Sequence, residues 1–133
     1  KKIEHMRDQE QEHLDYFESQ VKARKVRPTA LQPFWHVGGF ALGAVTALMG
    51  KEAAMACTVA VESVIDEHYA SQEAVLGQGE QPLKDKITQF RAEEMEHHDT
   101  GLAEGAENAL AYPLLSAGIR GITRMAIELS KRI

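Results

Sequence analysis

The hydrophobic positions of the chain recur at helical intervals in five segments. Residues 1–25 contain neither Gly nor Pro, and their apolar side chains form one stripe in which Glu10 and His13 fill the gap. Pro28 and Pro33 then interrupt the pattern, because proline disfavours helix at the residue before it. A first helix is therefore predicted here, and the apolar members of its stripe are Ile3, Met6, Leu14, Phe17 and Val21.

The rest of the chain predicts four further helices. Residues 31–50 carry no Lys, Arg, Asp or Glu, and their apolar part favours a second helix over residues 34–49. The third helix is predicted over 51–76, the fourth over 82–108, and the fifth from Pro113 onward. The fifth helix places one apolar face on Leu115, Ile119, Ile122, Ala126, Leu129 and Ile133. No segment of the sequence has the alternation of a strand, so the fold class is predicted to be all-α.

Composition places the sequence among single folded domains. It has 133 residues, of which 44% are hydrophobic and 26% charged, which suits one domain over residues 1–133 and excludes global disorder. The net charge of -5 argues against general nucleic-acid binding. Cys57 is the only cysteine, so no internal disulfide can form, and a reducing compartment is expected. The sequence opens in a charged helical pattern with no signal peptide, and we expect a preceding segment to be missing.

Two Glu-x-x-His motifs carry the candidate chemistry. Glu10 and His13 lie on the first predicted helix, and Glu94 and His97 lie on the fourth. Residues three apart share one helical face, so each carboxylate and imidazole can converge on one ion. Two such helices, with a lone Glu from each of two others, form the di-iron carboxylate site of a ferritin-like four-helix bundle.

The third predicted helix supplies a lone Glu of this kind. Glu62 is surrounded by apolar residues, where a carboxylate is costly unless it is paired or coordinated. Tyr69 lies on the same face of that helix, and His68 lies beside it. The predicted ligands are thus Glu10, His13, Glu62, Glu94 and His97.

Several neighbouring residues have simpler interpretations. A single Glu-x-x-His is common by chance on a solvated face, and only the pairing of two motifs with a buried Glu favours metal. Asp99 either orients a ligating histidine or lies on the surface. Solvent-side charges are predicted for Glu12, Glu93 and Glu96, and surface or ligand-adjacent positions for His5 and His98.

The apolar segments favour docking on a membrane surface. The second helix is too short to span a bilayer, which takes about 20 apolar residues. Residues 22–27 just before it are basic, as expected for contact with anionic lipid. The amphipathic fifth helix is expected to lie beside it. The alternative is that the second helix is a buried core helix and the fifth packs on the bundle or a partner.

The motifs together resemble the demethoxyubiquinone hydroxylases of ubiquinone biosynthesis, and the resemblance covers essentially the whole sequence. The segments that carry it are Asp8-Gln9-Glu10-x-x-His13-Leu14, Val26-Arg27-Pro28-Thr29, Gly39-Phe40-Ala41-Leu42-Gly43-Ala44, Ala53-Ala54-Met55-Ala56-Cys57-Thr58-x-Ala60-Val61-Glu62, His68-Tyr69 and Glu93-Glu94-x-Glu96-His97-His98-Asp99. Members of that family carry a sixth ligand Glu on an earlier helix, and this sequence departs from them there, so the first bundle helix is expected to be missing.

The resemblance implies a di-iron monooxygenase that uses oxygen to hydroxylate the ring of demethoxyubiquinol without a flavin. It implies two iron ions held by the five ligands above, NADH as the ultimate reductant, and a role for His68 and Tyr69 in electron or proton handling. It also implies a polyprenyl quinol drawn from the bilayer, with a lipid-binding partner protein that presents it. The expected location is peripheral, on the cytoplasmic face of a bacterial inner membrane or the matrix face of the mitochondrial inner membrane.

Two other classes of protein remain open from the sequence. A soluble ferritin-like di-iron oxidase or peroxidase would have no membrane affinity, which disagrees with the uncharged residues 31–50. A metal-free, membrane-associated helical interaction protein would leave Glu62 as an uncoordinated buried acid, which disagrees with the paired Glu-x-x-His motifs.

Overall fold

The computed structural model describes residues 2–133, which form five α-helices. No strand occurs within that range, so the all-α prediction is confirmed. The helices are α1 (Lys2–Ala23), α2 (Gln32–Met49), α3 (Lys51–Val75), α4 (Gln81–Ala103) and α5 (Tyr112–Arg132), and single 3₁₀ turns cover Gln78–Glu80 and Ala106–Asn108.

Two glycines determine where helices end. Gly50 has φ of 121° and is the only residue between α2 and α3. Gly105 lies in the left-handed region with φ of 100°, and its amide donates to the carbonyl of Leu102. This glycine ends α4 at Ala103, because the left-handed conformation cannot continue a helix. The prediction of a helix through residue 108 was therefore wrong at its end.

α3 is the central helix, and it packs against α2, α4 and α5. Its contact with α4 is closest at Gly101, where an added Cβ would lie 2.7 Å from Val59 Cγ2 and 3.2 Å from the Met55 carbonyl oxygen. One part of the core surrounds this contact, with Met55, Ala56, Val59, Ala106 and Ala109. A second part is built from Tyr69, Ile87 and Phe90, with Tyr16 and Phe17 against them.

α1 lies along α4 in the opposite direction. Lys2 pairs with Glu104 at one end of the two helices, and Arg24 pairs with Glu80 at the other. Between these ends the ring of His13 lies on that of Phe90, with centroids 4.1 Å apart. The antiparallel arrangement brings the middle of α1 opposite the middle of α4, which is where the two Glu-x-x-His motifs occur.

α2 and α5 leave much of their apolar surface exposed. On α2 the exposed side chains include Phe40 at 81% and Leu48 at 89%. On α5 the side facing α3 includes Ser116 and Ile119, whereas Ile122, which was predicted on the same face as Ile119, is half exposed. No helix within residues 2–133 has both the length and the apolarity needed to cross a membrane.

Candidate metal centre

The two Glu-x-x-His motifs meet as crossed pairs between α1 and α4. Glu10 Oε1 lies 3.0 Å from His97 Nδ1, and Glu94 Oε1 lies 3.0 Å from His13 Nδ1. Each carboxylate therefore contacts the histidine of the opposite helix, so the same contact occurs once in each direction between α1 and α4. Separations of about 3 Å are those of neighbouring ligand atoms around one ion whose bonds are about 2.1 Å long.

Glu62 on α3 completes the cluster. Its Oε1 lies 3.7 Å from His97 Nδ1, and its side chain is buried. Glu10, Glu62, Glu94 and His97 each offer one ligand atom, and these atoms all lie within 4.8 Å of one another. His13 joins through its contact with Glu94. The structure thus brings together all five residues predicted as ligands, and their role as ligands remains a prediction.

Protons are shared unevenly within the cluster. Burial raises the pKa of Glu62 to about 9, so this carboxyl is neutral at pH 7. Burial would likewise raise the pKa of Glu94, but hydrogen bonds from the two histidines and from Glu62 outweigh it and bring the pKa far below its usual range.

Both imidazoles are held in the charged form by the carboxylates. Burial alone would lower the pKa of His13, but hydrogen bonds with Glu10 and Glu94 raise it to about 10. For His97 burial again lowers the pKa, and the three carboxylates that face its Nδ1 raise it to about 11. The two protonated imidazoles thus place positive charge among the carboxylates. A metal cation would supply positive charge at the same place.

Buried polar atoms without hydrogen-bond partners concentrate at this cluster and fit a metal. Buried polar groups normally have partners, so an accumulation of such atoms points to a ligand. Three carboxylates and two imidazoles form a donor set that suits iron or manganese. Within residues 2–133 the atoms concerned at the cluster are His13 Nε2, Glu62 Oε2, Glu93 Oε2, Glu94 Oε2 and His97 Nδ1.

The predicted assignment of Glu93 to solvent was wrong. Only 15% of its side chain is exposed, and its Oε2 lies 3.5 Å from His13 Nε2. Gln9, which sequence reasoning did not single out for a role, has the equivalent place on α1, where His97 Nε2 donates to its Oε1 at 2.8 Å. Both residues directly precede the Glu of a motif, and this shared position is the signal that could have identified them.

The other residues considered from the sequence lie outside the cluster. Asp99 contacts His98, and its side chain is 69% exposed, so within the described residues it orients neither candidate ligand histidine. Glu12, Glu96 and His5 are exposed, in agreement with their predicted positions, and His98 is half-buried.

Tyr69 and His68 face different surroundings. Tyr69 is buried against Phe17, and burial together with the carboxylates of the cluster raises its phenol pKa above the usual range. Burial lowers the pKa of His68, and the nearby Lys131 lowers it further, which places this imidazole against α5. Of the two catalytic candidates, only Tyr69 adjoins the cluster.

A cavity of about 430 Å³ opens beside the ligands. Its lining includes three carboxylates, those of Glu10, Glu62 and Glu94. The rest of its lining comes from α3 and is largely apolar, with Cys57, Thr58, Val61, Ile65 and Tyr69.

Comparison with known proteins assigns the family. The family model described as ubiquinone biosynthesis protein COQ7 matches residues 1–130. The chain belongs to the COQ7 family. The resemblance inferred from the motifs is thereby confirmed.

Named relatives of this COQ7 family member come from bacteria and mitochondria. A 3-demethoxyubiquinol 3-hydroxylase of Rhodospirillum rubrum is 52% identical over 131 residues, which cover 98% of this chain and 62% of the relative. The NADPH-dependent 3-demethoxyubiquinone 3-hydroxylase of Bos taurus mitochondria is 51% identical over 135 residues, with the same coverage. The 5-demethoxyubiquinone hydroxylase of Saccharomyces cerevisiae mitochondria is 40% identical over 146 residues, with 98% and 63% covered.

This COQ7 family chain matches part of the length of each relative, and the relatives' names bear on the expected reductant. It spans 62% of the length of the first relatives it matches. The name of the bovine relative specifies NADPH, whereas the resemblance led us to expect NADH.

Proposed function

We propose that this protein is a di-iron monooxygenase that hydroxylates the ring of demethoxyubiquinol in ubiquinone biosynthesis. The observation that carries the proposal is the cluster in which Glu10 and Glu94 each contact the histidine of the opposite helix, with Glu62 beside them and all members but Glu10 buried. The names of the relatives, which are demethoxyubiquinone or demethoxyubiquinol hydroxylases, supply the substrate.

The residues of the cluster would hold two iron ions between them. His13 and His97 belong to different pairs, and each would hold one ion. Glu10 and Glu94 each contact both histidines and would provide carboxylate ligands next to them. Glu62 contributes a third carboxylate from α3. The iron pair would supply the activation of dioxygen, with electrons that originate from a nicotinamide nucleotide, NADPH in the names of the mammalian relatives.

The cavity beside the ligands is where the quinol ring is expected to lie. The apolar part of its lining suits the face of the ring, and its three carboxylates are candidate ligands, so a ring bound here would lie next to the metal. Tyr69 keeps its proton because its pKa is raised, so its phenol can donate a hydrogen bond to a ring oxygen. His68, against α5, is proposed to act only at a distance, in proton or electron supply.

The exposed apolar surface of α2 and α5 supports uptake of substrate from a membrane. Soluble proteins rarely leave so much contiguous apolar surface uncovered without a partner. Lys22 and Lys25, just before α2, are both exposed, as expected for contact with anionic lipid headgroups. A polyprenyl quinol could then present its ring while its tail stays in the bilayer, and a lipid-binding partner protein would dock on the same surface. The location would be peripheral, on an inner membrane of a bacterium or a mitochondrion.

A ferritin-like bundle with a sixth ligand remains part of the proposal. The four-helix di-iron site takes one further carboxylate from another helix.

The test uses protein expressed from the complete gene. We expect about two irons per chain and conversion of a demethoxyubiquinol with a shortened tail to its hydroxylated product, measured by metal analysis and mass spectrometry. Glu62→Ala should lose iron and activity, whereas Glu52→Ala, an exposed position on the same helix, should keep both. Absence of bound iron in the wild type would refute the oxygenase.

A further inference from the structure

The residue that precedes each ligand Glu reaches the outer nitrogen of the opposite histidine. On α1, Gln9 precedes Glu10 and accepts a hydrogen bond from His97. On α4, Glu93 precedes Glu94 and faces His13. Because the two helices are antiparallel and cross at the ligands, the same offset of one residue produces the same contact on both sides.

The nitrogen atoms of each ring have separate partners. In both histidines Nδ1 faces the carboxylates of the cluster. Nε2 of His97 is 2.8 Å from Gln9 Oε1, and Nε2 of His13 is 3.5 Å from Glu93 Oε2. His13 Nε2 and Glu93 Oε2 are both buried, and neither has a hydrogen-bond partner, so each is available to the other.

The two contacts differ in charge although they are alike in position. A ligating histidine usually donates its second ring N–H to an acceptor, which fixes the tautomer and the ring orientation. A carboxylate acceptor makes the imidazole a stronger donor to the metal than a neutral amide does, because it stabilises positive charge on the ring. Glu93 is a carboxylate and Gln9 an amide, so His13 should be the stronger ligand.

We propose that Gln9 and Glu93 are positioning residues for the two histidines, and that their difference in charge makes the two metal positions unequal, with the tighter position at His13. This inference rests on the proposed metal centre. It predicts an order of loading in which the first ion occupies the His13 position.

The experiment is a calorimetric titration of the full-length apoprotein with Co²⁺, combined with ¹⁵N NMR of the histidine rings in the Zn²⁺-loaded protein. The wild type should bind two ions in unequal steps. Glu93→Gln should weaken the tighter step by about tenfold and leave the weaker one unchanged. Gln9→Glu should strengthen the weaker step, and the NMR signal of Nε2–H should shift for His97 alone.

Controls separate this effect from charge in general and from folding. Glu96→Gln and Gln89→Glu make the same chemical changes at exposed positions on α4 and should alter neither step. The double exchange Gln9→Glu with Glu93→Gln keeps the net charge and should move the tighter position to His97. Glu93→Met, which cannot accept the bond, should broaden or shift the His13 signal, and Glu93→Gln should restore it.

The outcomes are distinct for the two proposals. Two Co²⁺ ions bound with equal affinity, or a Glu93→Gln effect no larger than that of Glu96→Gln, would overturn the inference and leave the metal centre standing. A wild type that binds no metal would overturn both.

Discussion

α2 and α4 reverse the usual relation between polarity and burial. α2 has no charged residue, yet Phe40 and Leu48 are more than four-fifths exposed. α4 carries charges along its length, yet Glu94 is 3% exposed and His97 is 1% exposed. Hydropathy alone would therefore misplace both helices.

The difference shows that contact partners decide burial in this molecule. Glu94 and His97 of α4 can be buried because acids and imidazoles from three helices neutralise one another. The apolar side chains of α2 are exposed because only one of its faces packs on α3. One helix thus points to a metal and the other to a lipid surface, and each can be tested separately.

The largest effect is expected from Glu94→Ala. This change removes the carboxylate that contacts both histidines, so at least one metal ion should be lost and hydroxylation should fall about 100-fold or more. Metal analysis and product formation measure both quantities. Glu96→Ala, two residues along the same helix and exposed, serves as the control. Full metal content in Glu94→Ala would show that this buried acid is structural.

The next largest effect concerns the exposed face of α2. Phe40→Ser with Leu48→Ser removes two apolar side chains from that face, and partitioning onto anionic vesicles should fall by about tenfold or more. The melting temperature should hardly change, since both positions are exposed. Vesicle sedimentation and thermal unfolding provide the two measurements. A large loss of stability with unchanged vesicle binding would mean that α2 is a core helix.

Glycine substitutions test the packing of the same two helices. Gly101→Ala in α4 places a methyl group against Val59 and the backbone of Met55, which should cost about 1–3 kcal/mol of unfolding free energy. Gly43→Ala in α2 meets no atom within 4 Å and should stabilise by about 0.5–1 kcal/mol through helix propensity. Chemical denaturation measures both values. Equal effects would contradict the described difference in packing.

The last prediction concerns how the unfolding free energy of the metal-free protein depends on pH. The raised pKa values of Glu62, His13 and His97 mean that the folded state holds more protons than the unfolded state above about pH 5. Unfolding free energy should therefore fall as the pH rises from about 5 to 10, and the melting temperature should fall with it. Metal-loaded protein should lose most of this dependence. A melting temperature that rises with pH in chelator would contradict the assignment.

The sequence predicted the helices and the five residues of the cluster because these depend on local spacing. Glu10 and His13 share a helical face whatever the rest of the chain does, and the same holds for Glu94 and His97. The position of Glu93 directly before Glu94 was visible in the sequence, but its burial was not, since that depends on the antiparallel pairing of α1 with α4. The end of α4 was missed because Gly105 adopts a left-handed conformation. Glycine permits this conformation but does not require it, so the sequence alone does not show where the helix ends. The face of α5 was only partly predicted, because its apolar arc is wider than the part that α3 covers.

The one-residue junction at Gly50 has a consequence for how far a substrate must travel. With only Gly50 between α2 and α3, the end of α2 stays next to the start of α3, and the distance from this junction to a residue on α3 is set by the helix. Glu62 stands twelve residues after that junction, which is roughly 18 Å along the helix axis. In the proposed function, the ring of a prenyl quinol would move at most this far from a bilayer that holds the junction, and tails of different length would differ only in how much chain remains in the lipid.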